Sequence, residues 1–373
     1  MSSSKVFQIP FVDLGADFAK NESEYLEVFQ KIGRSGQYIL GENVIDFEKN
    51  ISLLLNTKHV ISVGNGSDAI VFILKALGIG PGDEVITAPN SFIASAWSIV
   101  SVGAVPVFCD IDESLNLNPV ELSKHITKRT KAILAVHLAG VPSKIDIIEN
   151  ICKQNKIYLI EDCAQSIGSL YKSRSTGTFG IAGAFSLHPL KNLGGLGDGG
   201  FITTDNAELA NSLTLLRNHG LSNRDSAETW GYNSRLDELQ AAFLNIRLQN
   251  FHKNKKRVQD IASYFIQNLT SEIETPKIDS DMDVFWHRFI LFTKSRDYIR
   301  EELMNKGIDT RIHYPIPIHL QNCSKNLGYT LGDFPKTERQ SYESFSLPLY
   351  ALLSDSQVEY IVQRLNTIVK KAL

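Results

Sequence analysis

The stretch FSLHPLKNLGGLGDGG, residues 185–200, sets Lys191 between an apolar run and five glycines, and its Gly195, Gly197 and Gly200 spell GxGxxG. A dinucleotide fingerprint must follow a strand and open a helix, because the helix N-terminus holds the pyrophosphate. The residues that come next, FITTDN, read as a strand instead. The stretch is therefore strand, glycine loop, strand, and it argues against NAD. Glycines lack a Cβ, so they permit positive φ and close approach of backbone to a ligand, leaving room for a bulky group near the Lys191 amine.

Working outward from this loop, short β-branched runs recur at 59–63, 84–88, 105–111, 132–137, 157–162, 182–187 and 199–204. Helical patterns lie between many of them; in 67–77, Ile70, Ile73, Leu74 and Leu77 fall at i, i+3, i+4 and i+7. Apolar strands separated by helices predict an α/β fold with a mostly parallel seven-stranded sheet covered on both faces. Near residue 250 the pattern changes. A polar helix over 248–269, a strand over 286–293, a helix over 296–306 ending at Gly307, and a final helix opened by a capping box at Ser354 and Gln357 predict a smaller α+β unit. The expected domains are 1–248 and 249–373.

Composition narrows the function. A net charge of −3 without blocks of like charge leaves no broad basic surface for nucleic acid or anionic lipid. The densest basic group, Lys253, Lys255, Lys256 and Arg257, falls in a helical pattern and reads as a solvated face. Cys109, Cys152, Cys163 and Cys323 show no CxxC pairing, and the nine histidines have no metal spacing, so reduced thiols and no metal are expected. The N-terminal MSSSKVFQIPF lacks the long apolar segment of a leader, and no apolar run approaches the ~20 residues of a membrane span. A soluble, cytoplasmic protein is the expectation.

Lys191 alone would read as a solvated loop lysine. Three further stretches at predicted strand ends supply the other parts of a set whose fourth member is an imine-forming lysine: an anion cradle, a ring stack and a carboxylate for a pyridine nitrogen. In VISVGNGSDAI a strand ends at Gly64-Asn65-Gly66 and a helix begins near Ser67, which suits either a phosphate or a plain serine cap. In ITAPNSFIAS, Phe92 follows a proline turn and reads as a ring stack or as core. In YLIEDCAQS, Asp162 ends an apolar strand and needs a partner, a protonated ring nitrogen or a helix N-terminus, with Gln165 three residues on.

These stretches, with IPFVDL and SGQYILGENVIDFE before them and GYNSRLDELQAA and HYPIPIHLQ after, resemble the sugar aminotransferases of the DegT/DnrJ/StrS type, a fold type I pyridoxal phosphate family. The likeness spans nearly the whole chain. It implies that Lys191 forms the imine with the cofactor and carries the proton of the 1,3-shift, its pKa lowered by desolvation and a cationic ring. By the same resemblance Asp162 pairs with the pyridinium nitrogen, Gln165 with the phenolic oxygen, and Phe92 stacks on the ring. Gly66, Ser67 and Ser186 would hold the cofactor phosphate. Asn233 matches the residue that reaches the partner subunit's phosphate, which implies a homodimer; Asn233 and Ser234 also suit a cap for the helix that follows. Arg311, His313, Tyr314 and His319 match a stretch near the sugar-nucleotide pocket, although loop histidines often make structural bonds only. Leu190 departs from the small residue common before the lysine.

The resemblance implies transfer of an amino group from L-glutamate to a keto carbon of a nucleotide-linked deoxysugar, with a dTDP-linked 3-keto-6-deoxyhexose favoured by GYNSRLDELQAAF and HYPIPIHLQ. A 4-keto or UDP/GDP-linked sugar, a cyclitol substrate or a dehydration are the competing expectations.

Overall fold

The computed structural model describes residues 8–372; residues 1–7, most of the stretch read above for a leader, lie outside it. Seven strands form the central sheet: β1 His59–Val63, β2 Glu84–Thr87, β3 Val105–Phe108, β4 Thr130–Val136, β5 Tyr158–Asp162, β6 Ala182–Ser186 and β7 Gly200–Thr204. Their order is β1-β7-β6-β5-β4-β2-β3. All run parallel except β7, which is antiparallel to both β6 and β1. Each of the seven runs read from the sequence is present, with ends trimmed by at most three residues, except that β4 begins two residues earlier, at Thr130.

The sheet is apolar on both faces, as its strands require. In β4, Ile133 and Ala135 enter one cluster with Phe185 and Phe201, while Ala132 and Leu134 enter another under the helices Gly66–Ala76 and Ala207–Arg217. Phe185 and Phe201, neighbours on β6 and β7, stack at 4.4 Å. Full burial of such a side chain contributes about 1.5–3 kcal/mol.

The reversal of β7 explains the glycine loop. Ser186 pairs with Gly200 across the β6–β7 ladder, so residues 187–199 are the connection of a long hairpin. That loop stands at the carboxyl edge of β6, together with the carboxyl ends of β1, β2 and β5. None of its glycines has positive φ; close approach is what they provide. A Cβ on Gly200 would lie 2.5 Å from the backbone carbon of Asn65.

The C-terminal part pairs β8 (Phe289–Phe292) with β9 (Ser344–Leu347) antiparallel, flanked by helices Phe251–Asn268, Arg296–Asn305 and Asp355–Ala372. The capping box is formed: Ser354 Oγ accepts from Gln357 N (3.2 Å), and Gln357 Oε1 accepts from Ser354 N (3.0 Å). The polar helix starts later than expected, because Gln249 and Asn250 separate it from helix Glu238–Leu248. The strand expected over 286–293 is shorter for a definite reason. The amides of His287 and Arg288 both donate to Ala139 O (2.9 and 3.3 Å), drawing residues 286–288 off the ladder and onto the Leu138–Gly140 turn. Gly140, at φ 91°, permits this contact, since a Cβ there would lie 2.3 Å from Phe285 O. The N-terminal segment joins the same part: Ile9 N donates to Gly307 O, and Asp309 N to Ile9 O (both 3.0 Å).

Candidate active site

The turn after β1 is built by four polar contacts. Asn65 Oδ1 accepts from Asp68 N (2.8 Å), so Asn65, not Ser67, caps helix Gly66–Ala76. Asp68 is held in turn by Asn65 Nδ2 (3.0 Å) and by Ser234 Oγ (2.6 Å), whose oxygen also accepts from Gly64 N (2.9 Å). Ser234 is thereby spent on this turn. Helix Glu238–Leu248 begins four residues later with Asp237 at its cap position, so Asn233 and Ser234 do not cap it. The Ser67 hydroxyl is left free of hydrogen bonds among the described residues. Gly66 is tied to Ser186, because a Cβ on it would stand 2.9 Å from Ser186 Cβ. First-turn amides, the helix dipole and two serines thus converge on one small cradle, which suits a phosphate.

Asp162 ends β5 and is buried. Ser95 Oγ donates to its Oδ2 (2.7 Å) and Ala164 N to its Oδ1 (3.1 Å), so each oxygen keeps a lone pair for a further donor. A tight turn follows Asp162 rather than a helix, so it is not a helix cap. Gln165 Oε1 accepts from Ala139 N (2.9 Å) and its Nε2 donates to Tyr314 OH (3.4 Å). Phe92 is 55% exposed, which removes it from the core, and it tilts against the Tyr314 ring at 5.8 Å. Burial pushes the Tyr314 phenol up to about 12.

Lys191 sits one turn past Ser186, its N–H on His188 O (2.8 Å). Burial, then the charge of Arg288, pushes its amine down to about 8 against the opposing pull of Asp162. Near neutral pH an appreciable fraction is therefore free base, as imine formation and proton transfer need. Arg288 is buried and pushed down to about 10 by desolvation. His313 is pushed down to about 3 by burial and by Arg288, Lys191 and Arg311; His287 is held far below its ordinary range by burial and the same two cations, Arg288 and Lys191. Both imidazoles are neutral at pH 7.

The structure thus brings Gly66, Ser67 and Ser186 together as one group, and Lys191, Asp162, Gln165, Phe92, His313 and Tyr314 as a second along the same sheet edge. It does not bring His319 there. That side chain is fully covered, with its Nε2 on Glu338 (3.1 Å) and its ring against Phe334 (4.8 Å), because Ile318 N bonds Pro89 O and turns the segment inward. Arg311 keeps its guanidinium outward on Asp309 (2.7 Å) while its backbone pairs with Ser346. Asn233 is exposed on the surface. Sequence reasoning missed Ser95, His287 and Arg288; the last two stood in plain view as a charge interrupting the apolar run VFWHRFILF.

His137, Glu161 and Cys163 also lie within 4.8 Å of one another. Their donors are already spent. Glu161 accepts from Gly177 N (2.8 Å), Phe179 N (2.7 Å) and Gly180 N (2.8 Å) and faces His137 Nε2 (3.0 Å), while His137 Nδ1 accepts from Ser143 N (2.9 Å). Burial holds the Cys163 thiol well above its ordinary value, so it is not the thiolate a metal takes.

The cradle that a Cβ on Gly66 would fill, a buried carboxylate with lone pairs to spare, an exposed aromatic face and a lysine of lowered pKa fit pyridoxal phosphate part for part. Fold and site define an aminotransferase of fold type I, working with that cofactor. A profile of the DegT/DnrJ/EryC1/StrS aminotransferase family matches residues 19–366, and the chain belongs to this family. It is 39% identical over 360 residues to the dTDP-3-amino-3,6-dideoxy-alpha-D-galactopyranose transaminase of Aneurinibacillus thermoaerophilus, covering 96% of this chain and 99% of that one. The crystal structure of S. venezuelae DesV in complex with a ketimine intermediate overlays with a TM-score of 0.94 at 37% identity, over 96% of this chain and 98% of that one. The structure of ntda from Bacillus subtilis with bound cofactor PMP overlays with a TM-score of 0.89 at 30% identity, over 99% and 87%.

Proposed function

We propose that this chain moves the amino group of L-glutamate to the keto carbon of a nucleotide-linked deoxysugar, a dTDP-linked 3-keto-6-deoxyhexose foremost, giving a 3-amino sugar and 2-oxoglutarate. The observation that carries the chemistry is Lys191, an amine pushed down to about 8 beside the buried carboxylate of Asp162. The choice of sugar is supported by the likeness to the A. thermoaerophilus transaminase.

When bound, pyridoxal phosphate supplies an aldehyde that takes up an amino group and a ring that accepts the electrons released as a proton leaves the neighbouring carbon. Gly66, Ser67 and Ser186 hold its phosphate, Asp162 keeps its ring nitrogen protonated, Gln165 stands near its oxygen, and Phe92 covers one face. Lys191 holds the cofactor in the resting enzyme and, once free, carries a proton between adjacent carbons in both half-reactions. His313 and Tyr314 line the sugar side and Arg311 lies at its rim; His319 is left out, because it is enclosed.

The working unit in this proposal is a homodimer, with Asn233 completing the partner's phosphate cradle. Exposed apolar side chains on the elements around helix Glu238–Leu248, among them Phe29, Tyr38 and Ile39, support it, as does Trp230, 95% exposed three residues before Asn233. A division into 1–248 and 249–373 is kept, supported by the helix break at Gln249 and Asn250. Cytoplasmic residence is supported by four unpaired cysteines, three of them buried; among the described residues no helix is long and apolar enough to cross a membrane.

The test is the visible absorption spectrum of the protein with pyridoxal phosphate, before and after L-glutamate, followed by turnover on dTDP- and UDP-linked 3-keto and 4-keto sugars. Conversion of the cofactor band by glutamate and turnover of the dTDP-linked 3-keto sugar are expected. A band indifferent to glutamate would overturn the donor, and turnover of a 4-keto sugar alone would overturn the carbon.

A further inference from the structure

Arg288 is 7% exposed and has no acidic partner among the described residues. Its Nη1 donates to the carbonyl of His287 (2.8 Å), its plane lies over the Phe11 ring (5.1 Å to the centroid), and its Nε is buried with no acceptor. The Nε–Nη2 edge, the one that grips a carboxylate through two parallel bonds, has no acceptor among the described residues. A buried cation without a counter-charge is costly, and the fold maintains it by pulling residues 286–288 off the β8 ladder. Arg288 also lines one recess with Lys191, Asn192, Trp286 and His287.

We propose that Arg288 receives a carboxylate of the amino-group donor, so that residues 286–288 form an anion subsite beside Lys191. The inference rests on the transamination proposed above and names the residue that selects its donor. Proximity to Lys191 favours the donor over the sugar nucleotide. In an α-amino acid the carboxylate is one bond from the carbon that reacts, whereas in a nucleotide-linked 3-keto hexose two ring carbons and the glycosidic oxygen separate the reacting carbon from the first phosphorus. An anion held next to the lysine therefore belongs to the smaller molecule. Phe11 fixes the plane of the guanidinium, and its own ring is stacked on His313 at 5.7 Å, so this wall is preorganised.

The experiment measures binding of glutarate, an inert dicarboxylate, to the cofactor-loaded enzyme by calorimetry, together with KM for glutamate and for the keto sugar. Glutarate is expected to bind the wild type and to compete with glutamate. Arg288→Gln is expected to weaken glutarate and raise the glutamate KM by about 10- to 100-fold, the value of a charge-assisted contact, with a much smaller change on the keto sugar, which feels only the altered charge beside Lys191. Arg288→Lys keeps the charge and loses the fork, so a smaller loss of about three- to tenfold is expected; it carries the test if Arg288→Gln does not fold. Undiminished glutarate affinity in a folded variant overturns the subsite, as does a loss confined to the keto sugar or to dTDP. The two readings fail separately: a wild type whose cofactor band ignores glutamate overturns the donor, while the calorimetric response to Arg288→Gln still reads the subsite.

Discussion

Two buried groups of ionisable side chains lie on this sheet, and they are treated in opposite ways. Around Glu161 every lone pair is used: three amides and one imidazole N–H converge on a carboxylate with no exposed surface. Around Lys191 and Arg288 two cations share one recess, Asp162 is the acid that pulls on Lys191, and the guanidinium Nε of Arg288 has no acceptor. Glu161 and Asp162 are consecutive residues of β5, so the alternation of the strand alone sends one to each environment. Saturated polar groups hold architecture in place. Unsaturated ones are held in readiness for a ligand.

The contrast can be broken most severely at Lys191. Lys191→Ala is expected to lower the rate of the glutamate half-reaction by at least ~10³-fold, read by stopped-flow absorption. In the cofactor-free protein the same change removes a pH effect. The folded amine loses its proton near pH 8 and the unfolded one near 10.5, so between those values the unfolded chain binds the extra proton and stability rises with pH. The variant should show a flatter rise in denaturant midpoint over that window.

At the saturated group the loss should fall on stability instead. Glu161→Ala leaves three buried amides unpaired and is expected to cost about 3–5 kcal/mol in urea unfolding, with the loop at Gly177 and Gly180 loosened first. A smaller effect belongs to His313, neutral when folded because its pKa is pushed down to about 3 from 6.5. As pH falls below 6.5 the unfolded chain takes up a proton that the folded chain refuses, so stability declines toward pH 3. His313→Gln should flatten that acid limb in a pH series of thermal melts. The smallest loss, about 1 kcal/mol, is expected from Ser354→Ala, which opens a capping box exposed to water.

Much of this was legible in the residues. The seven apolar runs located the sheet, FITTDN after the glycines ruled out a nucleotide loop, and Asp162 and Lys191 were found at strand ends. What escaped was set by contacts distant in sequence. Asn65 outcompeted Ser67 as a cap because Asp68 is braced by Ser234, 166 residues away. Arg288 falls within the strand expected over 286–293, because only the distant Ala139 and Gly140 draw it aside. His319 lies six residues from His313, yet Glu338 and Phe334 enclose it. The directions of these side chains depend on neighbours that no local pattern names.

The bonds of Ile9 to Gly307 and Asp309 have a consequence for biogenesis. All seven strands of the sheet have emerged once Thr204 is made, but Phe11 meets Arg288 and His313 only when those residues leave the ribosome. At about 5–20 residues per second the span from Phe11 to His313 takes roughly 15–60 s to make, during which Phe11 has neither of these partners. The wall beside Lys191 is thus among the last parts of the molecule to be completed, and a chain released early would carry the lysine loop without the cations that set its chemistry.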